Sequence, residues 1–328
     1  MSGYHAGSRA VQDLVGVRER ADHVGRSLGQ DIKAVAAAFL ELQPLLVVGA
    51  ADPVTGGVWA APLAGTPGFV RATGPRRMSV ALGRPGPAPA GPDAGDGPVG
   101  PLAPPGPDAG YGPAGPLAAA LRIPGTPVGT IALDPRTRRR MRLNGRLRPT
   151  ARGFAVDADQ VFSNCPKYIQ RREGYETVAG RTPGPARRSQ RLGPEETAFV
   201  RAADTFFLAT VHASGADASH RGGGPGFVRV VSPRELCWPD YPGNAMFLSL
   251  GNLRADPRAG MLFLDWDTGS TLQLTGEART GFSADGERTV RFTLTEALWT
   301  PAAVPLRWSP PEYSPANPPA NVGECDES

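Results

Sequence analysis

Lysine is nearly missing from this 328-residue chain: of its 35 basic residues, only Lys33 and Lys167 are lysines and the rest are arginines. Together with the abundance of Ala, Gly and Pro, this reads as a GC-rich coding background. Each arginine is then less informative, and Lys167 more so. Cysteine is scarce too. Cys165, Cys237 and Cys325 are far apart, odd in number and without a C-x-x-C pair, so the sequence suggests neither a disulfide framework nor a zinc site and fits a reducing cytoplasm. No run of about 18 apolar residues occurs, so no membrane-spanning helix is expected. Arg9, Asp13 and Arg18 stand where a signal peptide would have its apolar core. The formal charge of +4 is too small to argue for a nucleic-acid partner.

What is plentiful is glycine (42) and proline (36), both clustered, against 40% hydrophobic residues. That pattern implies ordered parts with a sizeable core, joined by loose ones. The ordered parts repeat. Gly129-Thr-Ile-Ala-Leu-Asp134 matches Gly260-Met-Leu-Phe-Leu-Asp265, and Met141-Arg-Leu-Asn-Gly145 then matches Leu272-Gln-Leu-Thr-Gly276 without a gap. Arg148 falls on Arg279, and upstream Pro67-Gly-Phe-Val-Arg71 matches Pro225-Gly-Phe-Val-Arg229. An ordered set of matches at this spacing points to domain duplication rather than a short-period solenoid.

Both copies read as β. Phe206 to His212, Phe227 to Val231 and Met261 to Leu264 are short apolar runs, while Thr271 to Ala278 and Val290 to Thr295 alternate. Helices are few: Asp31 to Leu42 and Pro194 to Arg201 read as helical, one ahead of each copy. Short strands at regular spacing favour barrels over an open sheet. The expected organisation is an N-terminal segment 1–30, a first β unit 31–180, a linker 181–190, a second β unit 191–308 and a disordered tail 309–328. Within the first unit, Pro92-Asp-Ala-Gly-Asp-Gly-Pro-Val-Gly-Pro-Leu-Ala103 recurs at Pro107-Asp-Ala-Gly-Tyr-Gly-Pro-Ala-Gly-Pro-Leu-Ala118. This marks 84–116 as a disordered insertion without chemistry.

Three stretches could carry chemistry. Ala218-Ser-His-Arg-Gly-Gly-Gly-Pro-Gly-Phe227, placed between two strands, joins a hydroxyl, an imidazole and a guanidinium to glycines that let backbone approach an anion. Arg229 could add a second positive charge. The bland reading is a Gly-rich hairpin. The first copy keeps the Pro-Gly-Phe-Val-Arg frame but has Ala61, Pro62 and Leu63 in place of Ser219, His220 and Arg221, which suggests division of labour. Asn164-Cys-Pro-Lys-Tyr-Ile-Gln170 gathers Cys165, Lys167 and Tyr168 for an anion or a ring, or else caps the junction between copies. Asp240-Tyr-Pro-Gly-Asn244 and Gly251-Asn252 read as turns, with Asn252 suited to N-cap a short helix or to contact a flat ligand. His5, His23 and His212 have no ligand spacing and read as surface or core residues. No metal site is expected.

Taken together, Ser219-His-Arg-Gly-Gly, Pro225-Gly-Phe-Val-Arg229, Leu248-Ser-Leu-Gly-Asn-Leu253 and Gly260-Met-Leu-Phe-Leu-Asp265 resemble the pyridoxamine 5′-phosphate oxidase-like family of FMN-binding split barrels. Asn164 to Gln170 resembles the subgroup with two barrels in one chain. The resemblance implies a mainly β (α+β) chain with two tandem six-stranded antiparallel Greek-key split barrels, packed as an intramolecular pseudo-dimer. It implies an oxidoreductase whose FMN phosphate is held by Ser219, Arg221 and Arg229, with Gly222 and Gly223 beside it. His220, the candidate catalytic residue, and Asn252 would lie near the flavin, and Lys167 and Tyr168 would approach from the other copy. The expected partners are a small-molecule substrate and a reduced nicotinamide or other electron donor, with no membrane partner. The protein would be a monomeric pseudo-dimer or a homodimer. FAD, a deazaflavin-dependent reductase, and a non-catalytic flavin- or haem-binding module are the alternatives. Pyridoxamine-phosphate oxidases proper are single-barrel chains whose substrate-binding arginines have no placed counterpart here, so the resemblance does not carry a pyridoxine-pathway role.

Overall fold

The structure, a computed structural model, describes residues 3–82, 115–283 and 286–319. The expected disordered insertion at 84–116 lies outside the described residues except for Gly115 and Pro116. Among the described residues no helix is long and apolar enough to cross a membrane.

The chain is mainly β, with antiparallel sheets and few helices. It opens with α1 (Ala6–Leu14), α2 (Arg18–Gly25) and α3 (Ala34–Glu41). A seven-stranded sheet follows: β1 (Leu45–Ala51), β2 (Val58–Ala64), β3 (Val70–Gly74), β4 (Arg77–Ala81), β5 (Pro127–Asp134), β6 (Arg139–Thr150) and β7 (Gly153–Ser163), in the order β2-β1-β5-β6-β7-β4-β3. The short strands β8 (Tyr175–Thr177) and β9 (Arg187–Ser189) and the helix α4 (Pro194–Ala202) lead into the second half. There β10 (Thr205–His212), β11 (Gly215–Gly222), β12 (Arg229–Ser232) and β13 (Glu235–Pro239) precede α5 (Leu248–Ala255). The strands β14 (Arg258–Leu264), β15 (Thr271–Phe282) and β16 (Arg288–Thr300) complete the sheet, and β17 (Leu306–Trp308) pairs with β8. The second sheet runs β11-β10-β14-β15-β16-β13-β12, with β9 added on β16.

The two strand orders are the same once β1 is set on β10. Each path carries seven strands where six were expected. The runs that went uncounted are β11 and β13: the sequence Gly-Ala-Asp-Ala-Ser-His-Arg-Gly has no apolar alternation. Its strand character comes from the full ladder with β10, from Thr205↔Gly222 to His212↔Gly215, so tertiary pairing overrides local propensity. In the first sheet Trp59, Ala61 and Leu63 of one edge strand share a core with Val70 of the other. A sheet whose two edges enclose one core must curl on itself. Both long hairpins bulge at matching places, Asn144/Gly145 and Thr275/Gly276.

A separate core joins the halves: Leu45, Val47, Val58, Ala60 and Ile131 pack against Phe207, Ala209, Ala218 and Leu262. Glycine sets how closely the sheets approach. A Cβ on Gly129 would lie 2.4 Å from the backbone of Asp217 and Ala218, and one on Gly260 would lie 2.5 Å from Val58 O. The register that aligns Gly129 with Gly260 also aligns Asp217-Ala218 with Trp59-Ala60, so the two contacts are reciprocal. Gly49 faces its own counterpart, Ala209, at 2.6 Å from a built Cβ. Reciprocal contacts with a self-facing position are the geometry of a two-fold interface, here formed within one chain.

Three expectations need correction. The N-terminal segment, where no helix was expected, holds α1 and α2: α1 lies on α5, and Gln12 donates to Met246 O at 3.0 Å. Asn252 is not an N-cap but sits inside α5, which starts after Phe247 in a left-handed conformation (φ 52°). Of the expected disordered tail, Ser309 to Pro319 is packed, because Gln170 accepts hydrogen bonds from Ser314 N (2.8 Å) and Asn317 Nδ2 (3.0 Å).

Candidate functional site

A cleft opens where the halves meet. β11 supplies Ser219, His220, Arg221 and Gly222; β6 of the other half supplies Arg140 and Arg142. The segment after β7 brings Asn164, Cys165, Lys167 and Tyr168, and the loop from Asp240 into α5 forms the opposite wall. Of the residues singled out in the sequence, Ser219, His220, Arg221, Gly222, Lys167 and Tyr168 therefore come together. Three do not. Arg229 is exposed on β12 and does not line the cleft. Gly223 faces away, its N–H bonded to Asp204 O (3.1 Å) and its carbonyl to Gln170 (3.0 Å). Asn252 is buried between His5 and Thr210, donating to Thr210 Oγ1 at 3.0 Å.

At the base of the cleft is a buried network. Asp217 is ion-paired with Arg142 across the two halves, and it accepts hydrogen bonds from Asn144 Nδ2 (3.0 Å) and Ser249 Oγ (2.9 Å). Ser249 also bonds Ser219 Oγ at 3.0 Å, so the Ser219 hydroxyl is engaged in the network. Burial of the pair is compensated on both sides, as a buried charge requires. Higher in the cleft, Asp240 holds Arg221 Nη1 at 2.6 Å and Arg288 Nε at 3.1 Å.

Arg140 stands apart. Among the described residues it has no carboxylate partner, and its one polar contact is His220 Nδ1 at 2.8 Å. Burial, reinforced by the nearby Arg142 and Arg221, pushes its pKa down to about 9. His220 is also buried, and desolvation together with Arg140 and Arg221 holds its pKa well below the ordinary imidazole value, so the ring is neutral. A guanidinium can only donate, so Nδ1 must accept and the proton must sit on Nε2. Among the described residues that Nε2–H has no partner, and neither has the Nε–H of Arg221 or of Arg142. Buried donors of this kind normally find acceptors. A cation lacking a counter-ion beside three unpaired N–H donors fits a ligand group that is anionic and accepts hydrogen bonds. The phosphate of a flavin nucleotide is such a group, and the donor set fits it.

The rest of the cleft is flat-walled and strained. Tyr168 packs on Tyr241 with ring centroids 5.1 Å apart, and its hydroxyl donates to Pro242 O at 3.0 Å. Tyr168, Ala245 and Phe247 all have positive φ (65°, 61° and 52°). Such conformations persist only where surrounding structure enforces them, and they gather at ligand sites. Cys165 is a free, exposed thiol at the rim.

The main residues that sequence reasoning missed are Arg140, Arg142, Asn144, Asp217 and Ser249. The repeat held the signal. In register, Arg140, Arg142 and Asn144 fall on Thr271, Gln273 and Thr275, while Asp217 and Ser249 fall on Trp59 and Ala118. The same asymmetry that marks Ser219 to Arg221 thus extends to β6 and α5. At the equivalent place on the other side, Gln273 Nε2 donates to Ala60 O at 2.7 Å, and Leu117, Ala120 and Leu121 are buried in the first core.

Residues 192–319 match the family model for pyridoxamine 5′-phosphate oxidase. The match lies within the second half of this chain. No curated protein matches. Among solved structures, a Lactobacillus delbrueckii protein named as a candidate pyridoxamine 5′-phosphate oxidase is 15% identical; the match covers 33% of this chain and 94% of that one, with a TM-score of 0.29. A Mesorhizobium loti protein named as FAD-binding is 12% identical, covering 36% and 97%, with a TM-score of 0.27.

Proposed function

We propose that the chain is a flavin-binding oxidoreductase built as two tandem split barrels, an intramolecular pseudo-dimer with one FMN site at the junction. The observation that carries the reading is Arg140: a cation without a carboxylate partner among the described residues, placed by the first half against His220 and Arg221 of the second. The family match of residues 192–319 supports a flavin rather than another phosphate ester. When bound, the flavin supplies electron and hydride transfer to a small molecule, fed by a reduced nicotinamide or another donor.

The chain's own residues do the rest. Arg140 and Arg221 neutralise the phosphate, and His220 Nε2–H donates to one of its oxygens. Tyr168 and Tyr241 wall the flat ring and exclude water. The Arg142–Asp217–Ser249 network fixes β6, β11 and α5 relative to one another. His220, neutral and tied to Arg140, serves as a hydrogen-bond donor in binding rather than as an acid or base. The spectrum of freshly purified protein tests the proposal: flavin bands that leave with the small-molecule fraction on denaturation are expected. A colourless protein with no affinity for FMN, FAD or a deazaflavin would overturn it, and a Soret band would replace flavin with haem.

A further inference from the structure

The cleft reading leaves the N-terminal helices without a role, although they brace one of its walls. Gly7 of α1 meets Gly251 of α5 so closely that a Cβ on Gly7 would lie 2.2 Å from Gly251 O, and one on Gly251 would lie 2.4 Å from Ser8 N. Gln12 holds Met246 O, and Tyr4 and Ala21 share a core with Met246 and Leu248, both of which line the cleft. The segment is also fastened to the first half, through Gln160 Nε2 to Gly3 O at 2.7 Å.

Its fastening to the second half centres on two histidines. The His5 ring stacks on His212 at 4.4 Å with an interplanar angle of 10°. His5 Nδ1 accepts the Gly7 N–H as the α1 cap (3.1 Å), and Nε2 lies 2.7 Å from Asn252 Oδ1. Asn252 Oδ1 can only accept, so Nε2 carries the proton and Nδ1 is bare. The Nδ1 contact demands the neutral ring, whereas the Nε2–H contact with Asn252 persists on protonation.

We infer that residues 3–28 form a clasp on the cleft wall that closes only while His5 and His212 are neutral, so that ligand retention in the cleft weakens as pH falls. The inference rests on the cleft being a ligand site. Protonating His5 removes the acceptor that caps α1. Protonating either ring sets a charge against its stacked neighbour. The charged groups facing the pair are Asp217 on β11, which favours protonation, and Arg146 on β6, which opposes it. Arg9 of α1 is paired with Asp22 of α2. Burial lowers the pKa of both histidines. The clasped state then binds fewer protons than the open one, and the clasp is favoured above the ordinary imidazole pKa and lost progressively below it.

The test uses the full chain without added flavin. Hydrogen-exchange protection of the α1 amides is measured between pH 7.5 and about 5, and FMN binding is titrated over the same range. Protection in α1 should fall as the pH is lowered through the imidazole range, and FMN affinity should fall in parallel. His5→Asn, which caps a helix without titrating, and His212→Phe, which keeps the stack, should flatten both profiles. Protection that is independent of pH, or that falls equally in both variants, overturns the clasp. If FMN binds at no pH while α1 protection still falls, the cleft reading fails and the clasp stands.

Discussion

Arg140 decides whether the cleft is a site or a seam. Its counterpart in the other half is Thr271, and among the described residues no nearby carboxylate offsets its charge. Replacing it should therefore remove ligand affinity without unfolding the protein. Arg140→Ala and Arg221→Ala are each expected to weaken FMN binding by about 1.5–3 kcal/mol, the usual value for hydrogen bonds to charged groups, in a fluorescence-quenching titration. Arg229→Ala should leave the affinity unchanged, because Arg229 is exposed on β12 outside the cleft. The sequence had grouped Arg229 with Ser219 and Arg221 by proximity, yet the β11–β12 turn separates them. Asp217 behaves oppositely to Arg140. Asp217→Ala strands the buried Arg142 and should cost about 3–5 kcal/mol of stability, read as a lower denaturant midpoint.

At the level of elements, the repeat was legible because its matched positions are glycines and apolar residues with a backbone reason to persist. Gly129 and Gly260 mark where one sheet presses on the other, and Gly145 and Gly276 sit at matching bulges. The β11 strand was not legible, since small and polar residues there are held by the ladder to β10 and by the opposing half rather than by their own pattern. For the same reason the helix containing Asn252 was placed too late along the chain: α5 is fixed by its packing on α1, not by a cap in its own sequence. The close approach makes its own prediction. Gly129→Val should force the halves apart and lower stability by about 1–3 kcal/mol as overpacking, with a matching loss of FMN affinity, while Gly174→Ala, where a built Cβ meets nothing within 4 Å, should leave affinity untouched.

For the molecule as a whole, the asymmetry between halves matters more than their likeness. Matching strand order, reciprocal glycine contacts and matching bulges would allow two equivalent clefts, one on each side of the junction. Only one carries Arg140, Arg142, Asp217, Ser219, His220, Arg221 and Ser249. The other presents Thr271, Gln273, Trp59, Ala61, Pro62, Leu63 and Ala118. The sequence showed part of this inequality, in Ser219 to Arg221 against Ala61 to Leu63. It could not show that the first half supplies arginines to the second half's site, because that depends on how the two sheets pack. The most direct test is calorimetric titration of FMN into flavin-free full-length protein, beside Arg140→Ala. One FMN per chain, with affinity reduced in the variant, is the predicted result. Two FMN per chain, or binding indifferent to Arg140, would contradict the account.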